Sequence, residues 1–132
     1  MVSASGVFNV DTWDEDKYDQ REGAKLAHVR VGKTFQGDLE GTSTTDIVTV
    51  VSGDDAPLAY SGIERFTGAA SGRQGSFVLQ HTATAGPGGE GELVWRIVTG
   101  TGTGELTGIR GEGRIDIAPD GTHSYVLEYE LG

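Results

Sequence analysis

Two ionisable side chains stand out because each interrupts an otherwise apolar row. Alternate residues of 58–66 put Leu58, Tyr60, Glu64 and Phe66 on one face, and those of 77–81 do the same for Phe77, Leu79 and His81. Burial disfavours the charged form of either group, so a carboxylic acid's pKa rises and an imidazole's falls. On neighbouring strands, Glu64 and His81 are therefore expected to form an acid/base pair poised near neutral pH. Tyr60, Tyr125 and Tyr129 could donate hydrogen bonds to a developing enolate or alkoxide, and Phe66, Phe77, Leu79 and Trp95 would shape an apolar substrate. The same Glu–His pair also fits a structural contact or a wet rim with no chemistry.

These side chains need strands to hold them. Apolar and β-branched residues recur at every second position, and the expected strands are 6–12, 24–36, 39–52, 57–68, 74–84, 91–99, 111–118 and 123–131. "GDDAP" at 53–57, "AGPGGEG" at 85–91 and "PDGTH" at 119–123 carry hairpin-turn chemistry. The polar "WDEDKYDQREG", 13–23, reads as a loop or a short solvent-facing helical turn. Leu93, Trp95 and Ile97 share a face, as do Tyr125, Leu127, Tyr129 and Leu131, whereas Ser76, Val78, Gln80 and Thr82 form a smaller, more polar one. The bulky faces are expected inside. Eight consecutive antiparallel strands predict an all-β fold, a closed eight-stranded antiparallel up-and-down barrel, since closure removes exposed edges. His28 lies opposite the Val29 and Val31 face and His123 beside a turn, so both are expected in solvent.

The chain has 132 residues and reads as a single domain, 1–132. Ten basic against twenty acidic residues give a formal charge of −10, with the cations scattered singly. Neither a nucleic-acid backbone nor an anionic membrane surface is an expected partner. Without cysteine there is no disulfide, no thiolate metal site and no thiol nucleophile. His28, His81 and His123 share no ligand spacing, the acidic runs lack the order of a calcium loop, and no metal is expected. No serine sits in a nucleophile-elbow pattern. "MVSASGVFNV" lacks the basic-then-apolar order of a secretory signal and no apolar run would span a bilayer, which makes the cytoplasm the expected location.

The 22 glycines are the compositional anomaly. A G-x-x-x-G pair recurs at 37/41, 68/72 and 104/108, each where one strand hands over to the next. In "TGTGELTGIRGEG", 101–113, the phosphate-loop spacings fail and no helix follows. Leu106, Ile109, Ile115 and Ile117 are spaced among these glycines as anchors, so the stretch reads as a structural device for bends and close backbone approach.

"GTGELTGIRGEGRI" resembles a segment of the allene oxide cyclase and dirigent group of eight-stranded barrels. Over nearly the whole length, with "FQGDLEGTSTTD", "GIERFTG" and "GSFVLQHTAT", the chain is similar to a family of small bacterial proteins of unassigned function grouped with those barrels. The resemblance implies a barrel that binds an apolar or phenolic intermediate and guides its cyclisation or coupling without metal or organic cofactor. It also implies a homo-oligomer, trimer or dimer. The acidic, arginine-rich signature of the cyclases is not matched by "DTWDEDKYD", so their catalytic glutamate is assigned to no residue here. The functional expectation is a small-molecule-binding barrel, in its sharper form a cofactor-free isomerase or cyclase of bacterial secondary metabolism. A non-catalytic ligand carrier or sensor, and a structural barrel with a filled lumen, are the alternatives.

Overall fold

The computed structural model describes residues 1–54, 56–85 and 91–131. The strands are β1 (Val2–Arg21), β2 (Ala24–Gly37), β3 (Leu39–Ser52), β4 (Pro57–Ala70), β5 (Arg73–Ala85), β6 (Gly91–Ile97), β7 (Ile109–Ile117) and β8 (His123–Leu131). Each strand pairs antiparallel with the next, and β8 returns to β1 through Val2↔Tyr129 to Phe8↔His123, so the sheet closes into a ring. The fold is all-β, as the alternation predicted. The turn expected at 85–91 falls largely on 86–90, outside the described residues.

The ring is uneven, and that unevenness makes the site. β1 and β2 pair all the way to Arg21↔Ala24, while the pairing of β1 with β8 stops at Phe8. On the far side, among the described residues, β6 and β7 are joined only through Trp95↔Gly113 and Arg96↔Glu112. The wall is thus tall at β1 to β5 and low and split at β6 to β8. Residues 13–21, expected as a loop or helical turn, are strand instead. Their alternation was illegible because this part of β1 overruns β8, and solvent reaches nearly every side chain on both faces.

Inside, one half of the ring is solid. Phe35, Phe66, Phe77, Leu79, Trp95, Tyr125, Leu127 and Tyr129 are all buried in a single cluster, each ring contributing roughly 1.5–3 kcal/mol of apolar burial. Phe35 packs edge-on to Phe66 at 5.5 Å and to Tyr125 at 5.4 Å. The Tyr125 hydroxyl donates to the Gln36 carbonyl at 2.9 Å and accepts from the Leu39 amide at 2.9 Å, tying β8 to the β2–β3 turn.

The glycine-rich stretch plugs this end. Its 3-10 turn, Gly104–Leu106, drives Leu106 fully into the core, and Ile109 follows it. The preceding residues lie along β5: the Thr103 amide donates to the Ser76 carbonyl at 2.9 Å, and the Ser76 and Val78 amides donate to the Thr103 and Thr101 hydroxyls at 3.0 Å. A Cβ on Gly75 would stand 2.1 Å from the Thr103 carbonyl oxygen, so only glycine lets the two segments touch. Similarly Gly41 and Gly68, from two copies of the sequence repeat, are register partners, and a Cβ on Gly68 would sit 2.1 Å from the Glu40 carbonyl oxygen.

Candidate functional site

Above the packed half the interior opens into a cavity of about 480 Å³, within the range of small-molecule sites. Its walls come from the tall side of the ring, with Val31, Ile47 and Leu58, and from the low side, with Leu93, Ile115 and Ile117. Trp13 stands at the mouth, 55% exposed, on the segment of β1 that overruns β8. Most of the lining is apolar. Three buried residues of the lining, Lys33, Thr45 and His81, are polar, and Tyr60 stands beside them.

Strand alternation places these groups together. Lys33 alternates with Val31 and Phe35 on β2, Thr45 with Ser43 and Ile47 on β3, Glu64 with Phe66 on β4, and His81 with Leu79 on β5; all point inward. Glu64 is completely buried and lies just beneath the cavity. Its carboxylate accepts from the Ser43 hydroxyl at 2.6 Å, from the Trp95 indole N–H at 3.1 Å, and from Lys33 Nζ at 3.4 Å to each oxygen. His81 Nδ1 is 3.6 Å from Glu64 Oε1, an ion-pair distance too long for a hydrogen bond. The Lys33 ammonium also lies 4.9 Å from the centre of the Phe8 ring.

The charge state of Glu64 overturns the expectation that burial leaves it protonatable near neutrality. Burial does push its pKa upward, and it is the largest single influence. His81, the Lys33 ammonium and the Ser43 hydroxyl together outweigh it and hold the carboxyl at about 2. Glu64 is therefore a fixed anion. Tyr60 moves the other way: burial, reinforced by the Glu64 carboxylate, pushes its phenol up to about 12, so it stays protonated. Tyr60 Oη and His81 Nε2 are 2.8 Å apart. With Nδ1 turned toward an anion, the proton belongs on Nδ1, and the phenol donates to Nε2.

The structure brings Glu64, His81 and Tyr60 into one chain of contacts, as the two alternating faces implied. The expected ligand-shaping residues are divided. Phe66, Phe77, Leu79, Tyr125 and Tyr129 lie in the packed half, away from the cavity lining, and Trp95 sits beneath the floor as a donor to Glu64. The Tyr125 and Tyr129 hydroxyls are engaged by Gln36 and Leu39 and by Ser71, so neither is placed for an oxyanion. His28 is exposed and bonded to Asp46 at 3.1 Å. His123, expected in solvent, is instead half-buried, packs 4.9 Å from the Phe8 ring and lines the cavity. Lys33, Ser43 and Thr45 were missed, although their parity with Phe35 and Ile47 was the available signal. Among the described residues no three His, Asp or Glu side chains converge as a metal-holding group.

Comparison with known proteins places the chain. Residues 4–129 match the family described as "Protein of unknown function (DUF3224)". The chain belongs to the DUF3224 family. A solved DUF3224 structure of unknown function from Shewanella oneidensis MR-1 is 32% identical, superposes with a TM-score of 0.90, and is aligned over 100% of this chain and 98% of its own. No curated protein matches the sequence. The likeness covers the whole ring, so this DUF3224 chain shares its fold with that relative from end to end. Among the described residues no helix is long and apolar enough to cross a membrane.

Proposed function

We propose that this DUF3224 protein is a closed up-and-down barrel that binds one small apolar or aromatic molecule in the open half of its interior. The observation that carries this reading is the cavity itself: about 480 Å³, mostly apolar, yet floored by buried Lys33, Thr45 and His81 with Tyr60 beside them. Charge buried at that depth carries a desolvation cost that must be compensated, a cost that an apolar floor would avoid.

In its sharper form the proposal is a cofactor-free isomerase or cyclase of the cytoplasm, acting in bacterial secondary metabolism. The resemblance of "GTGELTGIRGEGRI" to the allene oxide cyclase and dirigent barrels supports it. In that mechanism Glu64 never meets substrate; it holds the His81 ring and the proton on Nδ1. The Tyr60 phenol gives its proton to an oxygen of the substrate and His81 Nε2, no longer engaged by the phenol, takes one from carbon. A carrier would use the same floor for recognition alone. Association of copies into a dimer or trimer is part of the proposal, since the overrunning segment of β1 leaves one strand edge free of β8.

Native mass spectrometry of the protein from its producing cell tests the reading, recording retained ligand and subunit number together. Incubation of the released ligand with fresh protein then separates enzyme from carrier, by conversion or its absence. Folded His81→Ala and Tyr60→Phe variants that kept full turnover would eliminate the catalytic form.

A further inference from the structure

Taking the cavity as a ligand site, we propose that its occupant carries an apolar body ending in one uncharged oxygen, a carbonyl or a hydroxyl, seated on the floor. Thr45 lines the cavity, and its Oγ1 makes no hydrogen bond among the described residues; His81 Nδ1, also without a hydrogen bond, is turned to Glu64 and is not offered to a ligand. They flank the same carboxylate: Thr45 is the register partner of Glu64 across β3 and β4, and His81 Nδ1 lies 3.6 Å from it. Buried polar groups left without partners are rare in native proteins, and the proposed head group supplies one for Thr45. The Thr45 hydroxyl both donates and accepts, and the Lys33 ammonium, 3.4 Å from each Glu64 oxygen, is a donor with three protons.

The charges on the floor restrict the head group further. The Glu64 oxygens are occupied by Ser43, Trp95 and Lys33, so a ligand ammonium would find no free acceptor there. Lys33 already balances Glu64, and a ligand carboxylate would enter a low-dielectric floor against an existing anion. An uncharged oxygen takes the open hydrogen bonds without adding a charge. The apolar walls accept the remainder of the molecule.

Three naphthalenes of similar shape separate these chemistries: 2-acetylnaphthalene, 2-isopropylnaphthalene and 2-naphthoate, titrated calorimetrically into the full chain at pH 8. The ketone is expected to bind about tenfold more tightly than the hydrocarbon, with the carboxylate weakest. Thr45→Val should cut the ketone's advantage over the hydrocarbon by about threefold or more. Should that variant not fold, a ketone carrying ¹³C at its carbonyl supplies a second readout in the unaltered protein: its resonance moves downfield on binding, relative to its position in hexane. Equal binding of ketone and hydrocarbon, an unmoved carbonyl resonance, or tightest binding by naphthoate would overturn the head-group assignment while leaving the cavity reading intact. If none of the three bound, both would fall.

Discussion

The two halves of the ring interior are built from the same alternating strands and put them to opposite uses. In the packed half the inward positions carry Phe66, Phe77, Leu127 and Tyr129, and the glycine-rich connection adds Leu106 as a plug. In the open half the inward positions carry Ile47, Ala83 and Leu93, and among the described residues the β6–β7 seam is nearly unpaired and no side chain fills the space. Between them runs the layer of Lys33, Ser43, Glu64, Trp95 and His81. Side-chain packing is concentrated on one side of that layer and the proposed ligand space lies on the other, so substitutions should separate by side.

The boundary layer carries the largest expected effect. Glu64→Gln leaves the Lys33 ammonium buried without its counter-charge, and urea denaturation should show a loss of about 3–5 kcal/mol. Adding Lys33→Met should restore a large part of it; a double variant as unstable as the single one would mean that the pair is not the unit described here. In the packed half, Phe77→Ala removes a ring with no exposed surface and should likewise cost about 3–5 kcal/mol.

Acid should reach the boundary layer next. Because the folded Glu64 pKa is about 2 against an ordinary 4.5, its contribution is complete above pH 5 and fades as pH falls toward 2. The decline attributable to this residue should be on the order of 3 kcal/mol, read as the difference between the stability profiles of the unaltered protein and of Glu64→Gln. Parallel profiles would show that Glu64 is not the acid-sensitive group. The smallest effect belongs to the open half: Leu58, 39% exposed at the cavity wall, should lose under about 1 kcal/mol on change to alanine while ligand binding weakens. A larger loss would mean that the two halves are not energetically distinct.

Period-two alternation was enough to read which side of the sheet each residue faces, because β2 to β5 and β8 have one face covered along most of their length. It placed Glu64, His81 and Tyr60 on inward faces of adjacent strands. What alternation along a strand does not encode is height within the ring. Phe77 and His81 share a face of β5, yet one is in the solid core and the other at the cavity floor, because the connection at 98–108 closes only one end. Height also explains the residues that were missed. Lys33 and Thr45 have the right parity, but only the register that sets Thr45 opposite Glu64 and Lys33 opposite Ser43 gives them a role. The overrunning part of β1 was illegible for a different reason: a strand wet on both faces has no periodic signal.

The central claim is that one half of this interior is a true binding space. The most direct measurement is a fluorescence titration with the neutral dye N-phenyl-1-naphthylamine, run on the unaltered protein and on Ala83→Trp, which sets an indole into the cavity wall. The account predicts saturable binding of one dye per chain, abolished in a variant of unchanged stability. Absence of saturable binding, or binding undiminished by the added indole, would contradict it.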